Sequence, residues 1–296
     1  MRTQKLPITV IVAVRNEEAN IEKCLKAVQF CQRIIVLDSA SDDRTCEKAI
    51  RLNAEVVQFT YSGSYPKKRQ WALENIGIDT PWTMLLDADE QVTAELENEI
   101  ATAIEKQATP DAFLIEKGFH FMGQKFRFGG FSHSAVLLFK TGKAKFEKIE
   151  IEETSGLDME VHERLIVDGS IGTMKHPLIH DDFKGLQAYI DRHNRYSSWE
   201  AAIRLRELGL GTKQNDEQIK PSLFGDVQQR RRFLKKIAIR FPFEHLLWFF
   251  YHYFVRLGFL EGIPGLIASR IRCSYISDVR AKMYELKNSA HIPNRR

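Results

Sequence analysis

The chain has 296 residues, 44% hydrophobic and 28% charged, which suits a globular protein and excludes a disordered one. That length is enough for one large domain or a domain with an appendage. The net charge is +4 but unevenly placed: residues 221–296 carry 14 Lys and Arg against 5 Asp and Glu, giving +9, and the residues before them sum to −5. An acidic body with a basic segment points to an anionic surface as that segment's partner, and no nucleic-acid partner is expected.

Four cysteines, Cys24, Cys31, Cys46 and Cys273, form no C-x-x-C and do not stand with histidines at zinc spacing. They fit a reduced cytosolic setting as small buried hydrophobes. The first apolar run, Ile8 to Val14, is short and leads directly into Arg15-Asn16-Glu17-Glu18, so no signal peptide is expected.

That run is nearly continuous and rich in β-branched residues, as in a strand buried on both faces of a parallel sheet. A helix is predicted next, with Ile21, Leu25 and Val28 on one face. Arg33 to Leu37 is the second predicted strand, and a short helix follows around Thr45 to Leu52. Glu55 to Phe59 is the third strand, followed by a helix from about Pro66 to Ile76 with proline in its first turn. Trp82 to Leu86 is the fourth strand, and the helix Thr93 to Lys106 carries Leu96, Ile100 and Ile104 in register. Such alternation predicts an α/β fold with a Rossmann-like sheet flanked by helices.

Beyond Asp111 the pattern changes. Ala112 to Ile115 and Ala135 to Phe139 read as strands with no long helix between them, which predicts a mixed or antiparallel part of the sheet. A long helix is predicted from Gly185 to Glu207 and a linker from Gly209 to Pro221. The expected division is a catalytic domain over residues 1–220 and a basic, aromatic helical extension over 221–296. In that extension Arg230 to Lys236 is a basic cluster, and Leu246 to Leu260 is an aromatic run broken by His252 and Arg256. The run is too interrupted to span a bilayer, so a helix lying in the membrane interface is expected.

Candidate chemistry gathers at the predicted strand ends. Asp87 and Asp89 lie two residues apart after an apolar strand, a spacing that puts two side chains on one face. In open α/β sheets ligands bind beyond the strands' C-terminal ends. Paired carboxylates there suit Mg2+ or Mn2+, which in turn can hold a diphosphate. Asp38 ends the second strand, and with Asn16 and Glu17 after the first it lines a plausible nucleotide cleft. Lys68 or Arg69 could neutralise phosphate.

On these stretches the chain resembles the family 2 nucleotide-sugar glycosyltransferases of GT-A fold. The matching segments are Val12-Ala13-Val14-Arg15-Asn16-Glu17-Glu18, Val36-Leu37-Asp38-Ser39-Ala40-Ser41-Asp42-Asp43-Arg44-Thr45 and Leu86-Asp87-Ala88-Asp89-Glu90. It is more closely similar to the branch that includes lipopolysaccharide core β-1,4-glucosyltransferases, through Arg69-Gln70-Trp71-Ala72-Leu73, Val161-His162-Glu163 and Gly258-Phe259-Leu260-Glu261-Gly262. Many family members have Asp-Asp where this chain has Asp38-Ser39.

The resemblance implies nucleotide-sugar contacts at Val14, Asn16, Glu17, Asp38, Arg69, Asp87 and Ala88. It implies a divalent metal, Mn2+ or Mg2+, on Asp89 and Asp87 with His180 as a third ligand, and Glu163 as the base that deprotonates the acceptor. The expected activity is inverting transfer from a nucleotide-sugar, a UDP-sugar, to a glycolipid or lipopolysaccharide core saccharide. The expected location is the inner face of the cell membrane, as a peripheral cytoplasmic enzyme. A polyprenyl-phosphate sugar synthase and a non-catalytic nucleotide-sugar or saccharide-binding protein are the alternatives. The first needs no base because its acceptor is already ionised.

Overall fold

The structure, a computed structural model, describes residues 4–63, 65–106, 108–148, 164–181, 185–208, 219–225 and 227–289. Its first half alternates as expected: β1 (Leu6–Val14), α1 (Ile21–Lys26), β2 (Cys31–Asp38), α2 (Thr45–Arg51), β3 (Glu55–Gln58), α3 (Lys68–Asn75), β4 (Trp82–Asp87), β5 (Glu90–Gln91) and α4 (Ala94–Ile104). Ile8, Val10 and Val12 of β1 are fully buried, and so is Ile11 on the opposite face to within one per cent. Both faces of the strand are therefore buried, which is why it reads as a continuous apolar run.

Seven further strands follow: β6 (Ala112–Phe121), β7 (Gln124–Lys125), β8 (His133–Lys140), β9 (Ala144–Phe146), β10 (Leu165–Val167), β11 (Ile171–Thr173) and β12 (Leu178–His180). The main sheet runs in the order β3-β2-β1-β4-β8-β6-β12-β5. Strands β1 to β4 are parallel, whereas β8 is antiparallel to both neighbours, β4 and β6. A parallel pair needs a long crossover, and the short connection between β6 and β8 has room for none. The sequence therefore predicts the mixed character of this part correctly. Strand β12 runs parallel to β6 and antiparallel to β5, closing the sheet's far edge.

The chain divides into two units. The first holds the sheet, in described residues up to 119 and in 132–148 and 164–181. Its core joins Ile8, Val10 and Val12 to Ile21 and Leu25 of α1 and to Leu96 and Ile100 of α4. Burying each such side chain contributes about 1.5–3 kcal/mol.

The second unit holds 120–131 and, among described residues, 185–208, 219–225 and 227–289. The division thus falls well before residue 220. Helix α5 (Leu186–Glu207), expected with the sheet, places Ala201 in one apolar cluster with Tyr275, Ile276 and Val279 of α8 (Gly262–Ser289). Helices α6 (Val227–Ala238) and α7 (Glu244–Phe250) join α5 through ion pairs. Arg204 binds Glu200 at 2.8 Å and Glu244 at 2.6 Å, and Lys235 binds Glu200 at 2.9 Å.

The expected interfacial helix over 246–260 is instead three short pieces: α7, a π-helical turn at Tyr251–Val255 and a 3-10 turn at Gly258–Glu261. Trp248 turns inward, packing on the α5–α8 cluster and stacking on His252 with ring centres 3.9 Å apart. Gly258 is required here: a Cβ would lie 2.7 Å from the His252 carbonyl oxygen. Among the described residues, no helix is long and apolar enough to cross a membrane.

Candidate active site

Three parallel strands end level with one another. Val14 of β1 is in register with Asp38 of β2, and Ala13 with Asp87 of β4. Asp38 is almost fully buried and accepts hydrogen bonds from the backbone N–H (3.1 Å) and hydroxyl of Ser41. Burial pushes its pKa up, but these donors outweigh burial and hold the carboxyl below its usual range.

Asn16 and Glu17 tie the loop after β1 to the loop after β2. Asn16 takes φ +56°, a left-handed conformation that its short polar side chain tolerates. Its N–H donates to Ser41 Oγ at 2.8 Å, and its Oδ1 accepts from the Asp42 N–H at 3.0 Å. The Glu17 N–H donates to Thr45 Oγ1 at 2.9 Å. Val14 is buried, and its carbonyl accepts from Lys68 Nζ at 3.0 Å. Lys68, offered by the sequence as a phosphate contact, is 2% exposed and bound to the end of β1.

Asp87 is held by two cations, Arg69 and Lys117, the latter with Nζ 3.3 Å from Oδ2. Burial pushes the Asp87 pKa up, but Arg69, Lys117 and His180 outweigh it and keep the carboxyl well below its usual range. Ala88 is buried. Glu90 has no exposed surface, contacts Lys117, and accepts from the Asp87 N–H at 3.0 Å.

Asp89 faces elsewhere. Strand β4 stops at Asp87 and residues 88 and 89 form a turn, so the strand alternation does not extend to Asp89. Its Oδ2 lies 3.5 Å from His180 Nε2, and its carbonyl accepts from the Asp181 N–H at 3.1 Å. Strand β12 makes this meeting possible, because His180 stands opposite Glu90 in the β12–β5 pairing.

One ligand atom each from Asp89, Glu90 and His180 lies within 4.8 Å of the other two. Asp89 Oδ1 is buried and has no hydrogen-bond donor. A buried acceptor left in that state is costly unless a cation or water meets it. Two carboxylates and an imidazole suit Mn2+ or a similar divalent ion. The residues present therefore fit a metal: Asp89 and His180 stand together as expected and Glu90 lies beside them, while Lys117 contacts both Glu90 and Asp87, and Arg69 contacts Asp87 as well.

Sequence reasoning missed Glu90 and Lys117. The available signal for Glu90 was its place directly after the Asp-x-Asp pair. Glu163 lies outside the described residues.

The parallel core, the antiparallel insertion and the acidic edge define a GT-A-like glycosyltransferase fold. A mannosyltransferase from Pyrobaculum calidifontis, solved in complex with GDP-Man and Mn2+, is similar in structure over 95% of this chain and 88% of its own, with TM-score 0.50 and 14% identity. Residues 9–147 match the model of glycosyl transferase family 2. The chain is a glycosyltransferase with a family 2 domain. It is 24% identical to the lipopolysaccharide core biosynthesis glycosyltransferase LpsC of Rhizobium meliloti, over 98% of this chain and 96% of that protein. An uncharacterized glycosyltransferase of Rickettsia typhi is 25% identical over 89% of this chain and 82% of its own.

Proposed function

We propose that the chain moves a sugar from a UDP-sugar to a saccharide or glycolipid acceptor of the lipopolysaccharide core, with inversion and with Mn2+ or Mg2+. The observation that carries this is the Asp89–Glu90–His180 constellation with its orphaned Asp89 Oδ1, at the sheet edge where three parallel strands end. The acceptor class is supported by the likeness to LpsC along almost the whole chain. Work on such an acceptor places the enzyme on the inner face of the membrane as a peripheral protein.

A bound divalent ion would supply positive charge to the departing diphosphate. The chain's own residues do the rest. Asp38, held ionised by Ser41, is available to the ribose and base, beside the fixed loop of Asn16 and Glu17. Arg69 and Lys117 bring two further cations to the strand edge. The proposed base is Glu163, which takes the acceptor's proton as its oxygen attacks the sugar from the opposite face.

Calorimetry of UDP binding with and without Mn2+ tests this reading. The wild type should bind UDP tightly only with the metal, and Asp89→Ala should lose that dependence with an unchanged melting temperature. UDP binding by Asp89→Ala equal to wild type in Mn2+ would overturn it.

A further inference from the structure

The second unit presents a run of large apolar side chains that its own packing leaves outside. Along α7 and the two turns after it, Leu246, Leu247, Phe250, Tyr251, Phe254, Val255, Phe259 and Leu260 are all exposed. Ile263, at the start of α8, is 75% exposed. Apolar residues exposed singly are ordinary, but a contiguous set of this size marks an interaction surface.

The backbone beneath them is braced. Glu261 is buried and accepts from Gln124 Nε2 and from the N–H groups of Arg127 and Phe128, each at 2.6 Å. The Gly129 N–H donates to the Arg256 carbonyl at 2.8 Å, and the His252 ring meets the Gly129 carbonyl. Trp248 and His252 face inward and anchor the ridge, while their neighbours point out. Leu257 sits at φ +60°, a conformation strained for leucine, and its side chain remains exposed.

Charge identifies the occupant. Arg256 within the ridge is exposed, as are Arg240 before it and Arg270 after it. Helix α6 turns Leu234 and Ile237 to solvent with Arg230 and Arg231 on the same exposed side. A second copy would set one basic segment of +9 against another, and like charges oppose that pairing. Aromatic and aliphatic side chains rimmed by arginine suit the headgroup level of a negatively charged bilayer.

We propose that the second unit docks on an anionic lipid bilayer through the ridge from Leu246 to Ile263, with arginines as electrostatic contacts. This deepens the reading of a membrane-held acceptor by naming the surface that holds the enzyme there. Vesicle binding is read without donor or acceptor, so failure of the docking and failure of that reading appear in separate assays.

The test is co-sedimentation of the full chain with vesicles of phosphatidylcholine, alone or with one quarter phosphatidylglycerol, at low and physiological salt. Wild type should bind the anionic vesicles, more weakly as salt rises but still measurably. A ridge variant, Phe250→Ser with Phe254→Ser and Ile263→Ser, should partition at least about tenfold less at both salts, with an unchanged melt. Replacing Arg230, Arg231 and Arg240 with Gln should cost on the order of a hundredfold at low salt, about fivefold per residue, and flatten the salt dependence. The control Ile50→Ser, an exposed apolar change in α2, should bind as wild type does. The proposal falls if wild type ignores anionic vesicles at low salt, or if Ile50→Ser loses as much as the ridge variant. It falls equally if the ridge variant binds vesicles normally while changing from dimer to monomer on gel filtration, which would assign the ridge to a second copy.

Discussion

Lys117 and Asp87 meet at the end of β4, Nζ to Oδ2 at 3.3 Å, and the same ammonium also contacts Glu90. One buried cation on β6 thus serves two carboxylates, Asp87 at the end of β4 and Glu90 at the start of β5, beside the proposed metal ligands. Burial alone would lower the Lys117 pKa, but Glu90 and Asp87 outweigh it and keep the ammonium charged.

Lys117→Met should leave Glu90 buried with an uncompensated neighbour. Breaking a buried pair by removing one partner costs about 3–5 kcal/mol. Arg69 still holds Asp87, so the lower end of that range is expected. Urea unfolding measures it, and Lys117→Arg should recover part of the loss. A midpoint matching wild type for Lys117→Met would show that the ammonium contributes nothing to the fold.

Glu163→Gln keeps size and removes basicity. With a hydroxyl acceptor, kcat should fall by about 10²–10⁴-fold while the UDP dissociation constant stays the same. Steady-state kinetics on the isolated acceptor decides it. Turnover near the wild-type rate would remove Glu163 as base and favour a lipid phosphate, which attacks without one.

Asp111 gives a pH-dependent prediction. Its Oδ2 accepts from the Ser170 N–H at 2.9 Å and hydroxyl at 3.1 Å, and its Oδ1 from Lys140 at 2.9 Å. The Ser170 N–H, then Lys140, hold its carboxyl down at about 2. An unfolded aspartate titrates at about 3.9. The depressed value means that Asp111 stabilises the fold fully above that pH and ceases to as pH falls through about 2. Asp111→Asn should therefore melt lower than wild type at pH 7, with the gap closing below about pH 4. A gap that stays constant down to pH 2 would reject the assignment.

Much of the first unit was legible because its signals are local. Ile8 to Val14 reads as a doubly buried strand, and Leu96, Ile100 and Ile104 mark a helix by their spacing alone. Lys117 was not legible, since a lysine inside a strand ordinarily faces water. Its partners lie at the end of β4 and the start of β5, and only the placement of β6 in the sheet brings them together. The helical character of the C-terminal extension was legible, but the start of α8 was not, because Gly262, Pro264 and Gly265 read as breakers. Gly265 is there for close packing, as its Cβ would fall 2.4 Å from the Gly258 carbonyl oxygen. In sequence the aromatic run looks like one surface, yet Trp248 differs from Phe250 in which side of α7 it occupies. That distinction depends on α5 and α8, which are remote in sequence.

Strand β12 is three residues long, and its pairings with β6 and β5 hold His180 against Asp89. The carboxylates of the proposed site therefore emerge early in synthesis, whereas the imidazole arrives only after β8, β9, β10 and β11 have been made. A growing chain can build the parallel core and the Asp38–Ser41 contacts before it can bring His180 to Asp89. With a metal held as proposed, its capture would be a late checkpoint: it would report that His180 has been set beside Asp89, and a chain stalled short of residue 180 would offer carboxylates with no imidazole to finish the site.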